Sequence, residues 1–316
     1  MAHKRGKAMI KVKDAAYVRF RAPDLDRMEQ FLVDFGMVRS ARTDTCLYMR
    51  GTDPTHHLHV TELGDPAFVG MAFNANAEED LATLSRAEGA SDVEDIDEPG
   101  GGKRVRLTDP DGTQVEVVYG LEEPGPLPVG QAYLPNRGSD RNRFGDIVRN
   151  DQGPAQVKRL GHILITSAQI PQIADFYRSH FGFLLSDEIY DGDENNIVAA
   201  FNRIDRGKEF VDHHTLVPVF HPEKTGLQHA AFEVENIDAV AIGQEYLKAK
   251  GYKHSWGIGR HFLGSQIFDY WYDPYGNIVE HFIDGDLLND TAEPGLMSLE
   301  TALATQWGPP VPEEFL

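Results

Sequence analysis

Two histidines and a glutamate, His162, His229 and Glu280, each stand in a strand-like run in the second half of the chain. Each has a counterpart at the same place in the first half: Tyr17, Gly70 and Glu116. Only the second half therefore carries all three as polar side chains at equivalent positions. Two imidazoles and one carboxylate arriving from three strands form the facial set that suits non-haem Fe(II), leaving positions open for substrate and O2; other divalent ions accept the same set. Taken singly, His162 or His229 on an apolar strand reads as a satisfied core histidine. The three together weigh against that reading. Glu280, set between Val279 and the pair His281-Phe282, is a poor buried residue unless a metal or another cation compensates it, an ordinary salt bridge being the alternative.

These correspondences come from a repeat. A strand-like run over 15–20 precedes an amphipathic helix with Leu25, Met28, Phe31, Leu32 and Phe35 on one face, closed by Gly36. In the second half a run over 160–165 precedes a helix with Ile170, Ile173, Phe176, Tyr177 and Phe181 on one face, closed by Gly182. Residues 68–73 mirror 227–232. Asp109-Pro110-Asp111-Gly112 opens a turn before Glu116 as Asp273-Pro274-Tyr275-Gly276 does before Glu280. The second half further predicts strands near 185–190, 196–203, 211–220 and 226–233, a helix capped by Asn236 and stopped at Gly251, and strands near 253–260, 267–272 and 277–283. Each half is thus two βαβββ units. Helices on one face of mostly antiparallel strands make an α+β architecture, with the other sheet face curled around something.

The boundaries follow from composition. Residues 1–120 form a degenerate module without metal, 121–157 a connection rich in Pro and Gly (Pro124, Pro126, Pro128, Pro135, Pro154), and 158–285 the metal-bearing module. Residues 286–316 form a tail whose Leu287, Leu288, Leu296, Leu299, Leu303 and Trp307 are too many for a free terminus, so it is expected to dock on the body. At 316 residues the chain is long enough for about two domains, each with its own core. A formal net charge of −20 makes nucleic acid or an anionic membrane an unfavourable partner. The single cysteine, Cys46, excludes an internal disulfide framework and a thiolate zinc cluster, and suits a cytoplasmic setting. No apolar run reaches the roughly 18 residues of a membrane helix, and 1–13 has no apolar core of signal length.

The run Gly259-Arg260-His261, followed by Tyr270-Trp271-Tyr272-Asp273-Pro274-Tyr275-Gly276-Asn277-Ile278-Val279-Glu280, resembles the signature of the type I extradiol ring-cleaving dioxygenases of the vicinal oxygen chelate superfamily. Asp269 stands where that family usually has an apolar residue. The resemblance covers nearly the whole chain and implies Fe(II), less often Mn(II), bound by His162, His229 and Glu280. It also implies that His214 is the acid-base histidine, that Tyr270 hydrogen-bonds a catechol oxygen, and that His261 lines the substrate side. His213, as His214's neighbour on a strand, is then expected to point to the opposite face, and Arg260 to alternate away from His261. The implied activity is O2-dependent meta cleavage of a substituted catechol to a 2-hydroxymuconic semialdehyde-type product. Its partners are a small aromatic diol and O2, and its assembly a cytoplasmic homo-oligomer.

A redox-inactive glyoxalase-type isomerase or thiol transferase would share the fold, but such proteins are usually shorter and lack the pairing of His214 with Tyr270. A non-catalytic small-molecule-binding protein of the same fold would not need three metal ligands. A 4-hydroxyphenylpyruvate-type dioxygenase would share the triad, but its C-terminal Gly-Asn-Phe pattern is absent here. No Arg or Lys cluster marks a carboxylate pocket in the second half, which favours a neutral, alkyl- or aryl-substituted catechol. Three other motifs carry less. Asp191-Gly192-Asp193-Glu194-Asn195 lacks the Gly and Glu that complete a calcium loop, and Gly100-Gly101-Gly102-Lys103 reads as a turn. His56, His57 and His59 are assigned a surface or structural role.

Overall fold

The computed structural model describes residues 8–130 and 133–315. In the first module β1 (Val12–Ala22), α1 (Leu25–Phe35), β2 (Val38–Arg42), β3 (Cys46–Arg50) and β4 (His59–Leu63) are followed by β5 (Ala67–Ala75), α2 (Glu78–Leu84), β6 (Glu94–Asp95), β7 (Lys103–Thr108) and β8 (Gln114–Tyr119). The second module repeats the order. It has β9 (Val157–Ser167), α3 (Ile170–Phe181), β10 (Leu184–Tyr190), β11 (Ile197–Arg203), β12 (Val211–Asp212) and β13 (Leu216–Phe220). Then come β14 (Gly226–Val234), α4 (Ile237–Ala249), β15 (His254–His261), β16 (Ile267–Tyr272) and β17 (Ile278–Ile283). Helix starts and stops follow the sequence signals. Asp24 and Asn236 accept from the backbone N–H of the first turn, while Gly36 and Gly182 close α1 and α3 in the left-handed region.

The first module is one sheet of eight strands in the order β2-β3-β4-β1-β5-β8-β7-β6. The second carries the equivalent order at its centre, β10-β11-β13-β9-β14-β17-β16-β15. In both, the two middle strands pair antiparallel, β1 with β5 and β9 with β14, and each is flanked by a parallel partner. Two βαβββ units therefore meet at the middle of each sheet, and the result is α+β.

Alternation along each strand sends one set of side chains to the helices and the other to the concave face. Ile163 and Ile165 of β9, Ala230 and Phe232 of β14 and Val279 of β17 join the main core; His162, His229 and Glu280, on the alternate positions, do not. The second sheet closes on itself, since Leu263, just after β15, packs with Ile189 of β10 and Ala199 of β11 from the far edge. The helix sides of both sheets share one core. Phe35 of α1 stacks on His281 of β17 at 3.8 Å, and Phe181 of α3 lies 6.0 Å from Phe73 of β5.

Where the modules meet, backbone touches backbone. Thr52 N donates to Val157 O at 2.8 Å, and Val157 N donates to Gly36 O at 3.2 Å. A Cβ on Gly51 would lie 2.1 Å from the carbonyl oxygen of Lys158, and one on Gly36, which has φ +111°, would lie 1.6 Å from that of Ala155. No side chain fits there.

The tail lies against the second module through short strands: β18 (Leu287–Leu288) pairs with β12, β19 (Gly295–Ser298) with β10, and β20 (Thr305–Trp307) with β15, with α5 (Leu299–Ala302) between the last two. Leu287, Leu296 and Trp307 remain exposed, because backbone pairing at the edges of a sheet does not require burial of the side chains that point outward. The expected strand over 211–220 is interrupted at 213–215. Among the described residues no helix is long and apolar enough to cross a membrane.

Gly51→Ala should lower the melting temperature by several degrees, the result of overpacking worth about 1–3 kcal/mol. Gly125→Ala, where a Cβ meets nothing within 4 Å, is the control. Equal melting temperatures for the two variants would show that the modules are not fixed by this contact.

Candidate metal centre

The three strand positions singled out in the sequence converge. The potential ligand atoms of His162 on β9, His229 on β14 and Glu280 on β17 all lie within 4.8 Å of one another, and all three residues are buried. Nε2 of His162 is 3.1 Å, and Nε2 of His229 is 3.2 Å, from Oε2 of Glu280. Glu280 is 0% exposed, with no lysine or arginine among the described residues paired to it. Burial alone would raise its pKa, but the two facing imidazoles hold it below the usual carboxylate range. His229 is pushed down, first by burial.

The hydrogen bonds leave two buried lone pairs that a cation would accept. Gln228 Oε1 accepts from Nδ1 of His229, which leaves the His229 Nε2 lone pair facing Glu280. That nitrogen and Oε1 of Glu280 are buried and have no hydrogen-bond partner. Two buried lone pairs beside a second imidazole, with no Lys or Arg among the described residues paired to the carboxylate, are what a divalent metal would complete. Gln228 escaped notice in the sequence because strand alternation should turn it away from His229. A register irregularity between Leu227 and His229 allows both side chains into one contact.

The first module shows the same geometry with the opposite solution. Glu116 on β8 accepts from the hydroxyl of Tyr17 and from Nε2 of Gln114, with Arg104 at 3.5 Å and Arg19 at 3.8 Å. A histidine at Gly70 is excluded, since even a Cβ there would lie 2.0 Å from Gln114 O. The ion pairs extend to Glu98, which accepts from Arg19 at 3.0 Å and Arg104 at 2.8 Å. His56, His57 and His59 are buried, which removes the surface half of their expected role. His57 packs between Tyr17 and Tyr48, and His59 stacks on Phe20 at 4.8 Å. Burial pushes His57 and His59 down to about 3.

The remaining residues that the resemblance implicated surround the triad. The His214 ring stands 4.3 Å from that of His162 and the Tyr270 ring 5.1 Å from that of His229, while Nε2 of His261 is 2.9 Å from the Tyr270 hydroxyl oxygen. Burial and then the neighbouring imidazoles push His214 well below the ordinary imidazole value, so it is neutral. Burial and Glu280 push Tyr270 well above 10, and burial brings His261 to about 4. Arg260 turns away from His261 to Asp284 at 2.7 Å.

His213 does not point to the opposite face. Its Nδ1 is 3.1 Å from Nδ1 of His214, and both rings are buried, because 213–215 falls between β12 and β13 where strand alternation does not hold. Asp269 is also accounted for. It lies on the helix side of β16, fully buried, and accepts from Trp271 at 2.6 Å and Gln244 at 2.9 Å, with Nε2 of His254 at 2.8 Å.

Two apolar clusters flank the triad. One contains Ile189, Ala199, Val217 and Leu263 with Leu164 and Phe201 against them; the other contains Trp256, Phe268 and Tyr270 with Ile278, Val311 and Phe315. Phe315 reaches the site directly, its ring 4.8 Å from Tyr270 and its carbonyl accepting from Gln228 at 3.2 Å. A cavity of about 790 Å³ elsewhere lies along the 127–156 connection and contains none of the triad.

Residues 159–281 match the family model of the Glyoxalase/Bleomycin resistance protein/Dioxygenase superfamily. The chain is 32% identical over 298 residues to metapyrocatechase 2 of Cupriavidus necator, covering 93% of this chain and 88% of that protein. Its fold is similar to that of homoprotocatechuate 2,3-dioxygenase from Brevibacterium fuscum, solved with 3,4-dihydroxyphenylacetate, with a TM-score of 0.79 at 18% identity over 99% of this chain and 94% of the other. It is similar also to the Mn(II)-bound glyoxalase from Novosphingobium aromaticivorans, with a TM-score of 0.79 at 22% identity over 97% and 94% of the two chains.

Replacing His162, His229 or Glu280 by Ala should abolish metal binding, measured as metal per chain, whereas Glu116→Ala should leave it intact. Full metal occupancy in Glu280→Ala would sink the assignment of this triad. The ion pairs of the first module predict a pH effect as well. Burial would raise Glu98, but Arg19 and Arg104 hold it at about 2 against an ordinary 4.5. Its contribution to stability is therefore complete above about pH 4.5 and is lost as the pH falls from there towards 2. Melting temperature measured against pH should fall less steeply over that range in Glu98→Gln than in the unaltered protein.

Proposed function

The chain belongs to the extradiol dioxygenases of the Glyoxalase/Bleomycin resistance protein/Dioxygenase superfamily, and from that premise we propose that it cleaves an uncharged, apolar-substituted catechol using Fe(II) held by His162, His229 and Glu280. The reading is carried by the two orphaned ligand atoms, Nε2 of His229 and Oε1 of Glu280, buried side by side with no cation of the protein near them. Fe(II), when bound there, supplies a Lewis acid for the catechol oxygens and an electron path between the ring and O2. Both oxygen atoms enter the product, a 2-hydroxymuconic semialdehyde, so no external reductant is required.

The protein's part is to move protons, to orient the ring and to keep water out. His214, neutral and beside His162, accepts a proton from a catechol hydroxyl and later returns one. Tyr270 keeps its proton at any working pH and donates it to a catechol oxygen, with its hydroxyl held by His261. The apolar clusters and the Phe315 ring form dry walls for the ring and its substituent. Among the described residues, the guanidinium groups of Arg203 and Arg260 are engaged elsewhere and are not placed to receive a substrate carboxylate. Arg203 donates to the carbonyls of Leu185, Asn289 and Ala292, and Arg260 to Asp284. With its one cysteine outside any disulfide, the protein suits a reducing, cytoplasmic compartment.

His214→Phe should retain its metal and lower turnover by about 10² to 10⁴. A panel of catechols followed by the yellow ring-cleavage product should rank alkyl- and aryl-substituted catechols above carboxylated ones. A preference for carboxylated catechols would refute the apolar pocket, and loss of metal from His214→Phe would show that this residue is a ligand instead.

A further inference from the structure

We propose that Asp187 and His213 are positioning residues that set the tautomer of His214, forming a carboxylate-imidazole-imidazole chain that leaves Nε2 of His214 as the proton acceptor. This rests on the reading of His214 as the acid-base group and adds to it the part that prepares that group.

The direction of the chain follows from donor and acceptor counting. Asp187 on β10 accepts from Nε2 of His213 at 2.6 Å. In a neutral ring this fixes the His213 proton on Nε2 and makes its Nδ1 an acceptor. Nδ1 of His214 lies 3.1 Å away, and one of these two nitrogens must donate, so the proton sits on Nδ1 of His214. Its Nε2 is left with a free lone pair, on the ring that packs against His162. This is the logic by which a carboxylate behind a histidine fixes which nitrogen acts as base.

The surroundings hold the chain in place. Ser186 donates through Oγ to the His213 carbonyl at 2.6 Å, the His213 N–H donates to Asp286 O at 2.9 Å, and Phe201 packs against both rings. Space is reserved for the carboxylate by a missing side chain. A Cβ on Gly295 of β19 would lie 2.0 Å from Oδ1 of Asp187, so the tail strand closes over Asp187 only because that residue is glycine.

Asp187→Asn preserves shape but reverses the chain. Its amide donates to Nε2 of His213, which moves the His213 proton to Nδ1 and the His214 proton to Nε2, where it blocks base action. The expected result is a fall in turnover of about 10²-fold or more with metal content unchanged. In the His214→Phe background, Asp187→Asn should change turnover by less than about twofold, because a residue acting only through His214 has nothing left to position. The tautomers can be read directly by ¹⁵N NMR of the full chain labelled in its histidine rings and loaded with diamagnetic Zn(II). His214 should carry its proton on Nδ1 in the unaltered protein and on Nε2 in Asp187→Asn. A proton on Nε2 of His214 in the unaltered protein, as an imidazolium at His213 would impose, overturns the proposal. So does near-normal turnover in Asp187→Asn when His214→Phe is impaired, or an undiminished effect in the double variant. Normal turnover in His214→Phe itself would refute the acid-base role instead, and the ¹⁵N spectrum would then decide the chain independently.

Discussion

Glu280 is a carboxylate buried at the centre of a curled sheet, and the chain supplies no cation to meet it. Taking such a group out of water costs several kcal/mol even after relaxation, unless charge or hydrogen bonds compensate it. The two imidazoles face only its Oε2, and Oε1 has no hydrogen-bond partner. The fold therefore centres on a position that a cation from outside the chain would satisfy. The first module makes the same point by contrast. With Arg19, Arg104, Gln114 and Tyr17 around Glu116, the equivalent carboxylate is compensated from within, and no vacant lone pair faces a second ligand there.

Bringing Glu280, His162 and His229 together requires three strands in register to a single residue, since a slip of one would send each side chain to the helix face. That register is held from behind. His281 follows Glu280 and donates from Nε2 to the carbonyl of Phe35 at 2.7 Å, while its ring stacks on Phe35, so the first module's helix grips the strand that carries the carboxylate. Tyr177 of α3 reaches Asp109 at 3.1 Å in the other direction. The first module thus serves as a wall against which the sheet carrying the triad is braced, and the glycine contacts at Gly36 and Gly51 keep the two backbones close enough for this packing.

The repeated βαβββ order and the triad were legible in the sequence because both rest on strand and helix periodicity, and because an internal copy shows which positions are equivalent. Comparing Tyr17, Gly70 and Glu116 with His162, His229 and Glu280 isolates the positions where the copies differ in chemistry. What periodicity could not reveal is where a strand stops being regular. The run 211–220 reads as one strand, and from that assumption His213 falls on the wrong face; the chain leaves the ladder at 213–215, so the assumption fails at the residue where it matters. The tail's apolar composition points to a segment held against the body but not to the means, which is backbone pairing with β10, β12 and β15 while Leu287 and Leu296 stay exposed.

The miss at His213 has a physical origin. A regular strand can present only every second residue to the concave face, yet three pairs of adjacent residues act together here. Ser186 and Asp187 both bond His213, His213 and His214 bond each other, and Gln228 bonds His229. Each pair sits at a departure from regularity: a register shift between Leu185 and Asp187, the gap between β12 and β13, and a register shift between Leu227 and His229. Irregular pairing gives up ladder hydrogen bonds, and natural sheets place such bulges where a side chain must be re-aimed. Here the irregularities bring a second polar side chain alongside His214 and His229. The regular strands carry His162, His229 and Glu280 to one place, and the interruptions of the sheet bring polar partners to the histidines there.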